Sequence, residues 1–174
     1  FSLGNWELFG IFNFLTILGV SVGYHRFVTH SSFECAWPLK LLLLIFGGLA
    51  FQGHAIGWAR NHRTHHAFAD KQGDPHSPKN GFWWSHIVWF MTKYTVPDEK
   101  TMCSDLLKDR LIVSQKYWMP VVGALGFILP FFLFGLEGAL LAGTLRLLFA
   151  SHAIFAINSI CHKWGERPNA TDDT

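Results

Sequence analysis

The sequence predicts an all-α integral membrane protein with a few transmembrane helices. Half of its 174 residues are hydrophobic and 15% are charged, whereas ordinary soluble domains carry about 25% charged residues. The hydrophobic residues are concentrated in four runs, and most of the charge lies between and after them. These runs are 6–24, 39–58, 119–136 and 138–157. Each is close to the roughly 20 apolar residues that a helix needs to cross a bilayer.

Composition and length also indicate which partners and how many domains to expect. The net charge is +2 and no basic run is present, so nothing indicates nucleic-acid binding. The three cysteines lie far apart without a C-x-x-C pair, which argues against a disulfide framework or a zinc ribbon. The length allows a single domain, 1–174. Because the chain opens on Phe1 without a signal-peptide pattern, we expect a domain that is incomplete at this end.

The first two runs differ in what they are expected to do. The run from Trp6 to about Tyr24 is predicted to be one span, with Trp6 at an interface and Arg26 just past the far end. Pro38 opens the second run, 39–58, which is also long enough to cross.

The middle of the chain is polar. Gly73-Asp74-Pro75 and Ser77-Pro78 indicate a loop within 60–81. The aromatic segment 82–94 is predicted to be interfacial, and 98–117 has the apolar spacing of an amphipathic helix.

The last two runs are predicted to form a helical hairpin that turns at Leu136-Glu137-Gly138, with a kink at Pro130. Most lysines and arginines lie in 60–116 or after His162, and the turn has none. By the positive-inside rule, we expect a multi-pass protein with 60–116 and the tail on the cytoplasmic side.

Ten histidines are the unusual feature of the composition. Six of them form three clusters, each just past the end of an apolar run, and Asn158 accompanies the third. The clusters are His25 with His30; His62 with His65 and His66; and His162 with Asn158. Residues three and four apart share a face of a helix, so the second and third clusters should each project one way. His25 and His30 are about 140° apart on an ideal helix, so they converge only if the helix ends there or if each serves a different metal.

These clusters predict a metal site. Imidazole ligands suit zinc, copper, iron or nickel. Six histidines exceed what one four-coordinate zinc can use, which points to two metal ions. The Glu-x-x-His ligands of soluble di-iron bundles are absent from the sequence. The other histidines are expected to be structural, with His76 fixing a loop; they are His54, His76, His86 and His152.

Four motifs carry a resemblance to a known family. They are Gly23-x-His25-Arg26-x-x-Thr29-His30, Trp58-Ala59-Arg60-x-His62-Arg63-x-His65-His66, Asp74-Pro75-His76 and Asn158-Ser159-x-x-His162. Together they resemble the histidine boxes of the membrane fatty acid desaturases, specifically the acyl-CoA Δ9 (stearoyl-CoA type) branch and its bacterial relatives.

The resemblance implies a small bundle of spans with a helical cytosolic cap that carries a histidine-rich di-iron site. It implies two Fe ions, with Asn158 acting through water. The implied histidine ligands are His25, His30, His62, His65, His66 and His162. A third box, His-x-x-His-His, is absent after His162, so we expect the domain to be incomplete at this end also. Since one site must be shared by the first two clusters, we expect 39–58 to lie along or dip into the interface rather than cross.

The implied activity is oxygen-dependent desaturation of a fatty acyl chain, at Δ9 of an acyl thioester. The alternative is a membrane di-iron hydroxylase of alkyl or lipid substrates. The implied partners are fatty acyl-CoA or another acyl carrier, O2, membrane lipid, and a separate electron donor of the cytochrome b5, ferredoxin or rubredoxin type. Arg60 resembles a position that contacts the CoA headgroup, with Asn61 in place of the family's acidic neighbour. Trp58, Phe51 and Phe155 are candidates for the wall of an acyl tunnel.

Overall fold

The computed structural model describes residues 1–165, and these residues contain helices and connecting segments but no strand. The predicted all-α architecture is therefore confirmed for this part of the chain. We number the α-helices α1 to α7 in chain order. They are Leu3–Leu18, Trp37–Gly48, Ala55–Phe68, Trp89–Met91, Glu99–Met102, Arg110–Gly138 and Arg146–Lys163. Three segments wound as π-helix extend them: Gly19–Thr29 continues α1, Trp84–Val88 precedes α4, and Ala139–Leu145 joins α6 to α7.

The second apolar run is two helices rather than one. α2 has 12 residues, about 18 Å of helix, whereas the hydrocarbon core of a bilayer is about 30 Å thick. Between α2 and α3 the chain turns through Phe51 and Gly53, which have φ angles of 58° and 86°. α2 is thus too short to span a bilayer, in agreement with the expectation that 39–58 does not cross.

Phe51 faces α6. Its ring packs on Gly123 of α6, where an added Cβ would lie 2.2 Å from Phe51 Cε2. Phe51 is not among the residues that line the apolar cavity described below. The left-handed backbone at Phe51, which few bulky residues adopt, turns the ring toward α6.

The predicted hairpin is present, and its turn lies slightly earlier than expected. Helical dihedral angles are lost at Phe134 and Gly135, where Gly135 has φ of 63°. The chain then folds back on α6. Gly138 lies so close to the preceding arm that an added Cβ would be 2.2 Å from the carbonyl oxygen of Pro130. The break in the helix thus falls at 134–135 rather than at Pro130 or at 136–138.

The predicted amphipathic helix over 98–117 is wrong. Asp98 and Asp109 are both N-caps, and each starts a separate helix. Asp109 accepts hydrogen bonds from the N–H groups of Leu111 and Ile112, so α6 begins there and continues into the apolar run.

Two helical segments are long and apolar enough to cross a membrane, Leu3–Thr29 and Arg110–Lys163. The second includes the turn at Gly135, so it provides two antiparallel arms. Large hydrophobic side chains are exposed along these arms, among them Phe132 at 79%. Such a surface is typical of lipid contact, because soluble monomers rarely expose apolar patches of this extent.

Arg146 is a buried charged residue that links α7 to α1 and α2. It is fully buried, and its guanidinium donates to the Thr16 hydroxyl at 2.8 Å, to the Leu49 carbonyl at 2.7 Å and to the Ala142 carbonyl at 2.8 Å. These bonds tie α7 to α1 and to the end of α2. These contacts make Arg146 a structural residue.

We expect Arg146→Met to destabilise the protein strongly. The Leu49 carbonyl and the Thr16 hydroxyl would each lose a donor in a buried position, at a cost of about 1–3 kcal/mol per group. The thermal unfolding midpoint in detergent measures this, and exposed Arg110→Met is the matched control. An unchanged midpoint for Arg146→Met would contradict the role assigned to these bonds.

Candidate metal centre

The first helix consists of α1 and the π-helical segment that continues it. The π-helical winding at its end brings His25 and His30 together. In this winding the N–H of residue i+5 bonds the carbonyl of residue i, so residues five apart lie closer to the same face than they do on an α-helix. The His30 N–H donates to the His25 carbonyl at 3.1 Å, and the two ring centroids are 4.6 Å apart. The convergence that an ideal α-helix would prevent is therefore achieved by a local change of helix type.

His62 on α3 is at the centre of the first histidine group. Its Nε2 atom lies 3.1 Å from His30 Nε2 and 3.0 Å from His66 Nε2. With His25, these residues offer four nitrogens within 4.8 Å of one another. The indole of Trp58 stacks on the His62 ring at 5.0 Å and holds its plane.

The donor set of this group fits a metal ion. A neutral imidazole Nε2 either donates one proton or offers one lone pair, so His62 cannot make two good hydrogen bonds to His30 and His66 at once. A cation would satisfy all the lone pairs. Two nitrogens at about 2.1 Å from one ion and at a right angle lie about 3 Å apart, which is the separation found here.

Burial, together with the neighbouring His66, His25, His30 and His65, lowers the pKa of His62 to about 2. This imidazole therefore stays neutral at physiological pH, in the form that binds metals.

A second group forms around His65 and Asp74. The fully buried Asp74 carboxylate lies 3.0 Å, through both oxygens, from His65 Nδ1. It also accepts the backbone N–H groups of Asp70 and His76. Burial would raise the pKa of Asp74, but the hydrogen bonds from His65 and the backbone outweigh it and lower the pKa. An ionised carboxylate here keeps the proton of His65 on Nδ1 and leaves the Nε2 lone pair available to a metal ion.

α7 brings the third cluster to this side of the molecule. The His162 ring lies 5.7 Å from the His65 ring, and Asn158 lines the cavity described below. The six histidines identified from the sequence thus fall into two neighbouring groups, four around His62 and two around His65.

Sequence reasoning missed Asp74 and His76. His76, expected only to fix a loop, is buried with its ring 4.3 Å from that of His65 and its Nδ1 4.0 Å from Asp74. The sequence did contain a signal for these two residues, because the acidic Asp74 stands close to His76 shortly after the second histidine cluster. His86 and His152 do lie outside the two groups, but they pair with each other at 2.9 Å, and His86 contacts Ser159 next to Asn158.

An apolar cavity of about 230 Å³ adjoins the first group. His25 and His62 form one wall, Ile17 and Val20 of the first helix another, and Phe155 and Asn158 of α7 a third. Trp58 and Asn61 also line this cavity, as does His76. Arg60 does not line it. Its guanidinium donates to Asn61 Oδ1 at 3.3 Å, and its buried Nε has no hydrogen-bond partner among residues 1–165.

Comparison with known proteins agrees with this geometry. The family model described as "Fatty acid desaturase" matches residues 4–174. The chain belongs to the fatty acid desaturase family. It is 36% identical over 183 residues to an acyl-CoA Delta(11) desaturase of Choristoneura rosaceana, covering 97% of this chain and 54% of the relative.

Two further desaturases show the same level of similarity. The Delta(9)-fatty-acid desaturase fat-6 of Caenorhabditis elegans is 36% identical over 174 residues, with 91% of this chain and 51% of the relative covered. The icosanoyl-CoA 5-desaturase of Limnanthes douglasii is 36% identical over 180 residues, with 97% and 49% covered. The chain thus spans about half the length of these desaturases.

The neutral histidines predict how the metal-free protein responds to acid. Burial, with a smaller effect of His65, lowers the pKa of His76 to about 3, as burial lowers that of His62 to about 2. In the unfolded chain both would titrate near 6.5. Below about pH 6.5 the unfolded chain therefore binds more protons than the folded chain. The stability that these two neutral histidines contribute is present above this pH and is lost progressively as the pH falls below it.

We therefore expect the denaturation midpoint of the metal-free protein to fall between pH 7.5 and pH 5. A His62→Gln/His76→Gln variant should show a flatter dependence. A midpoint that stays constant in the wild type would contradict neutral, buried imidazoles.

Proposed function

We propose that the protein is an acyl-CoA desaturase that introduces a double bond into a fatty acyl chain at a di-iron centre. The observation that carries the proposal is the convergence of four imidazoles beside an apolar cavity, in a chain of the desaturase family. The proposed ligands are the six histidines of the two groups, with Asn158 acting through water. When bound, the iron ions supply the activation of O2. In the overall reaction O2 takes two hydrogens from the acyl chain plus two electrons and two protons from outside, and two waters leave.

The chain's own residues would hold the substrate and keep the site dry. The cavity walls are apolar except for the histidines and a few polar groups such as Asn61, so an acyl chain fits and bulk water is disfavoured. An oxidant able to attack an unactivated C–H bond needs such exclusion of competing reactions. Asp74 would keep His65 in the metal-binding tautomer, and Trp58 would fix the plane of His62.

The proposed substrate is an acyl-CoA, because the Choristoneura and Limnanthes relatives are named for acyl-CoA chains. The proposed double-bond position is Δ9, although the three relatives are named for positions 11, 9 and 5. The proposed topology is multi-pass with the histidine groups on the cytoplasmic side, where a separate electron donor of the cytochrome b5, ferredoxin or rubredoxin type can reach them. Residues 1–174 would belong to one desaturase domain.

Product analysis of the full-length protein tests this function. Membranes from a host that lacks its own desaturase should convert saturated acyl-CoA to an alkene under O2, and the double-bond position is fixed by mass spectrometry after derivatisation. Purified protein should contain two irons per chain. An alcohol as the main product would favour the hydroxylase, and zinc in place of iron would overturn the proposal.

Arg60 is expected to bind the acyl carrier. Its Nε is buried without a partner, and its side chain is joined to cavity-lining Asn61, so a phosphate or carbonyl oxygen of the carrier would complete its hydrogen bonds. Arg60→Ala should raise KM for acyl-CoA more than it lowers kcat, because headgroup contacts act equally in ground and transition states. A collapsed kcat with unchanged KM would instead place Arg60 in the support of the histidine groups.

A further inference from the structure

We propose that Arg63 is a positioning residue. It sets the distance between the first histidine box, His25 to His30, and the second histidine box, His62 to His66. It lies on α3 directly after His62, and its guanidinium reaches the end of the first helix, the last residue of α5 and the segment after it. All five of its N–H donors are used. They contact the carbonyls of Val28 (3.5 Å), Thr29 (3.0 Å) and Met102 (2.9 Å) and the two carboxylate oxygens of Asp105 (2.7 and 2.9 Å).

The contacts with Val28 and Thr29 connect Arg63 to the first histidine box. Thr29 is the last residue of the π-wound segment, and His30 follows it. Carbonyls at the end of a helix lack partners within the helix and carry the negative end of its dipole, so a guanidinium is well suited to bind them. The buried Thr29 side chain also donates to the Tyr24 carbonyl, which orders this helix end further.

The same contacts fix the approach of two ligand atoms. Arg63 and Thr29 are each next in sequence to a histidine, His62 and His30, whose Nε2 atoms lie 3.1 Å apart. Without a metal ion, two neutral imidazoles at this distance gain at most one hydrogen bond, so they hold the two segments together weakly. Arg63 supplies a backbone connection that does not depend on the metal. It therefore lets the protein bind metal without first closing the gap between two helices.

The ion pair with Asp105 is the lesser part of this arrangement. The Asp105 side chain is 53% exposed, and exposed ion pairs contribute about 0–1 kcal/mol. The three carbonyl contacts remain possible when Asp105 is neutral. They need the planar, five-donor guanidinium, since the three donors of a lysine ammonium radiate from one point. Lysine at position 63 should thus keep the charge and lose the positioning.

The inference rests on the proposed metal site, so its test reads metal binding separately from desaturation. Metal-free, full-length protein in detergent is titrated with Co2+, and visible absorption reports both affinity and coordination geometry. The variants are Arg63→Lys, Arg63→Gln and Asp105→Asn. Exposed Arg110→Gln is the matched control, and a thermal unfolding midpoint is recorded for each folded, monodisperse sample.

We expect Arg63→Lys and Arg63→Gln to bind Co2+ about 10–100-fold more weakly with altered absorption bands, the usual effect of losing a residue that supports a ligand. Asp105→Asn should stay within about fivefold of the wild type. Should Arg63→Gln fail to fold, Arg63→Lys and Asp105→Asn still decide the matter. A normal Co2+ affinity and spectrum in folded Arg63→Lys, with only a lower midpoint, would reduce Arg63 to a structural residue. Loss of binding in Asp105→Asn equal to that in Arg63→Lys would also overturn the proposal. Failure of the wild type to bind Co2+ would instead count against the metal site itself.

Discussion

Replacement of His62 by alanine is expected to abolish desaturation, by at least about 100-fold, while the protein still accumulates in membranes. His62 contacts both His30 and His66 through Nε2, so its loss removes the central ligand of the first group. No other histidine reaches that point within residues 1–165, because His65 is turned toward Asp74. Iron content per purified chain and alkene yield measure the effect.

The matched control is His54→Asn in the same part of the chain. His54 caps α3 by accepting the Gly57 N–H at its Nδ1, at 3.2 Å. Asparagine is among the best N-cap residues, so α3 should remain intact and both iron and activity should be retained. Normal product from His62→Ala would show that the first group is not the metal site.

Asp74→Asn is expected to lower metal affinity about 10–100-fold and to reduce activity in parallel. The carboxylate now accepts the Nδ1–H of His65, together with two backbone N–H groups. An amide can present its NH2 to His65 Nδ1, which would move the histidine proton to Nε2 and block the ligand atom. The variant keeps the size and shape of the side chain and turns one acceptor into a donor, so the loss would report the hydrogen bonds of the carboxylate to His65 and to the backbone rather than packing.

Asp98→Asn is the control for this prediction. Asp98 caps α5 at the surface through the Thr101 N–H, and asparagine caps equally well. Metal stoichiometry at limiting iron, followed by colorimetric assay, separates the two variants. Wild-type iron loading of Asp74→Asn would show that the carboxylate does not orient His65.

The structure brings the six predicted histidines near one another, but it divides them into groups that differ from the clusters in the sequence. On an α-helix His62 and His66 are about 40° apart, whereas His65 and His66 are about 100° apart. The four-residue pair therefore converges on His30, and His65 turns to the neighbouring group with Asp74. The expectation that His62, His65 and His66 share one face neglected this difference in angle, which follows directly from their spacing in the sequence.

The convergence of His25 and His30 could not be predicted in the same way, because π-helical winding depends on packing. Gly19 and Gly23 let the first helix lie directly against α2, where added Cβ atoms would come within 2.1 Å of the Gly47 nitrogen and 2.8 Å of the Leu43 carbonyl oxygen. This close approach involves residues far apart in sequence. The prediction of one helix over 98–117 rested on apolar spacing alone. The N-capping residues Asp98 and Asp109 mark the starts of two separate helices.

The cavity lies between the first helix and α7, two segments apolar enough for a bilayer, and this has a thermodynamic consequence for chain-length selection. An acyl chain that entered from lipid would exchange one hydrocarbon environment for another. The roughly 0.8 kcal/mol that each methylene gains on leaving water would then be nearly absent from its binding energy. Longer chains would not bind more tightly merely by being longer, so selection among them would rest on steric exclusion at the cavity wall and on the headgroup.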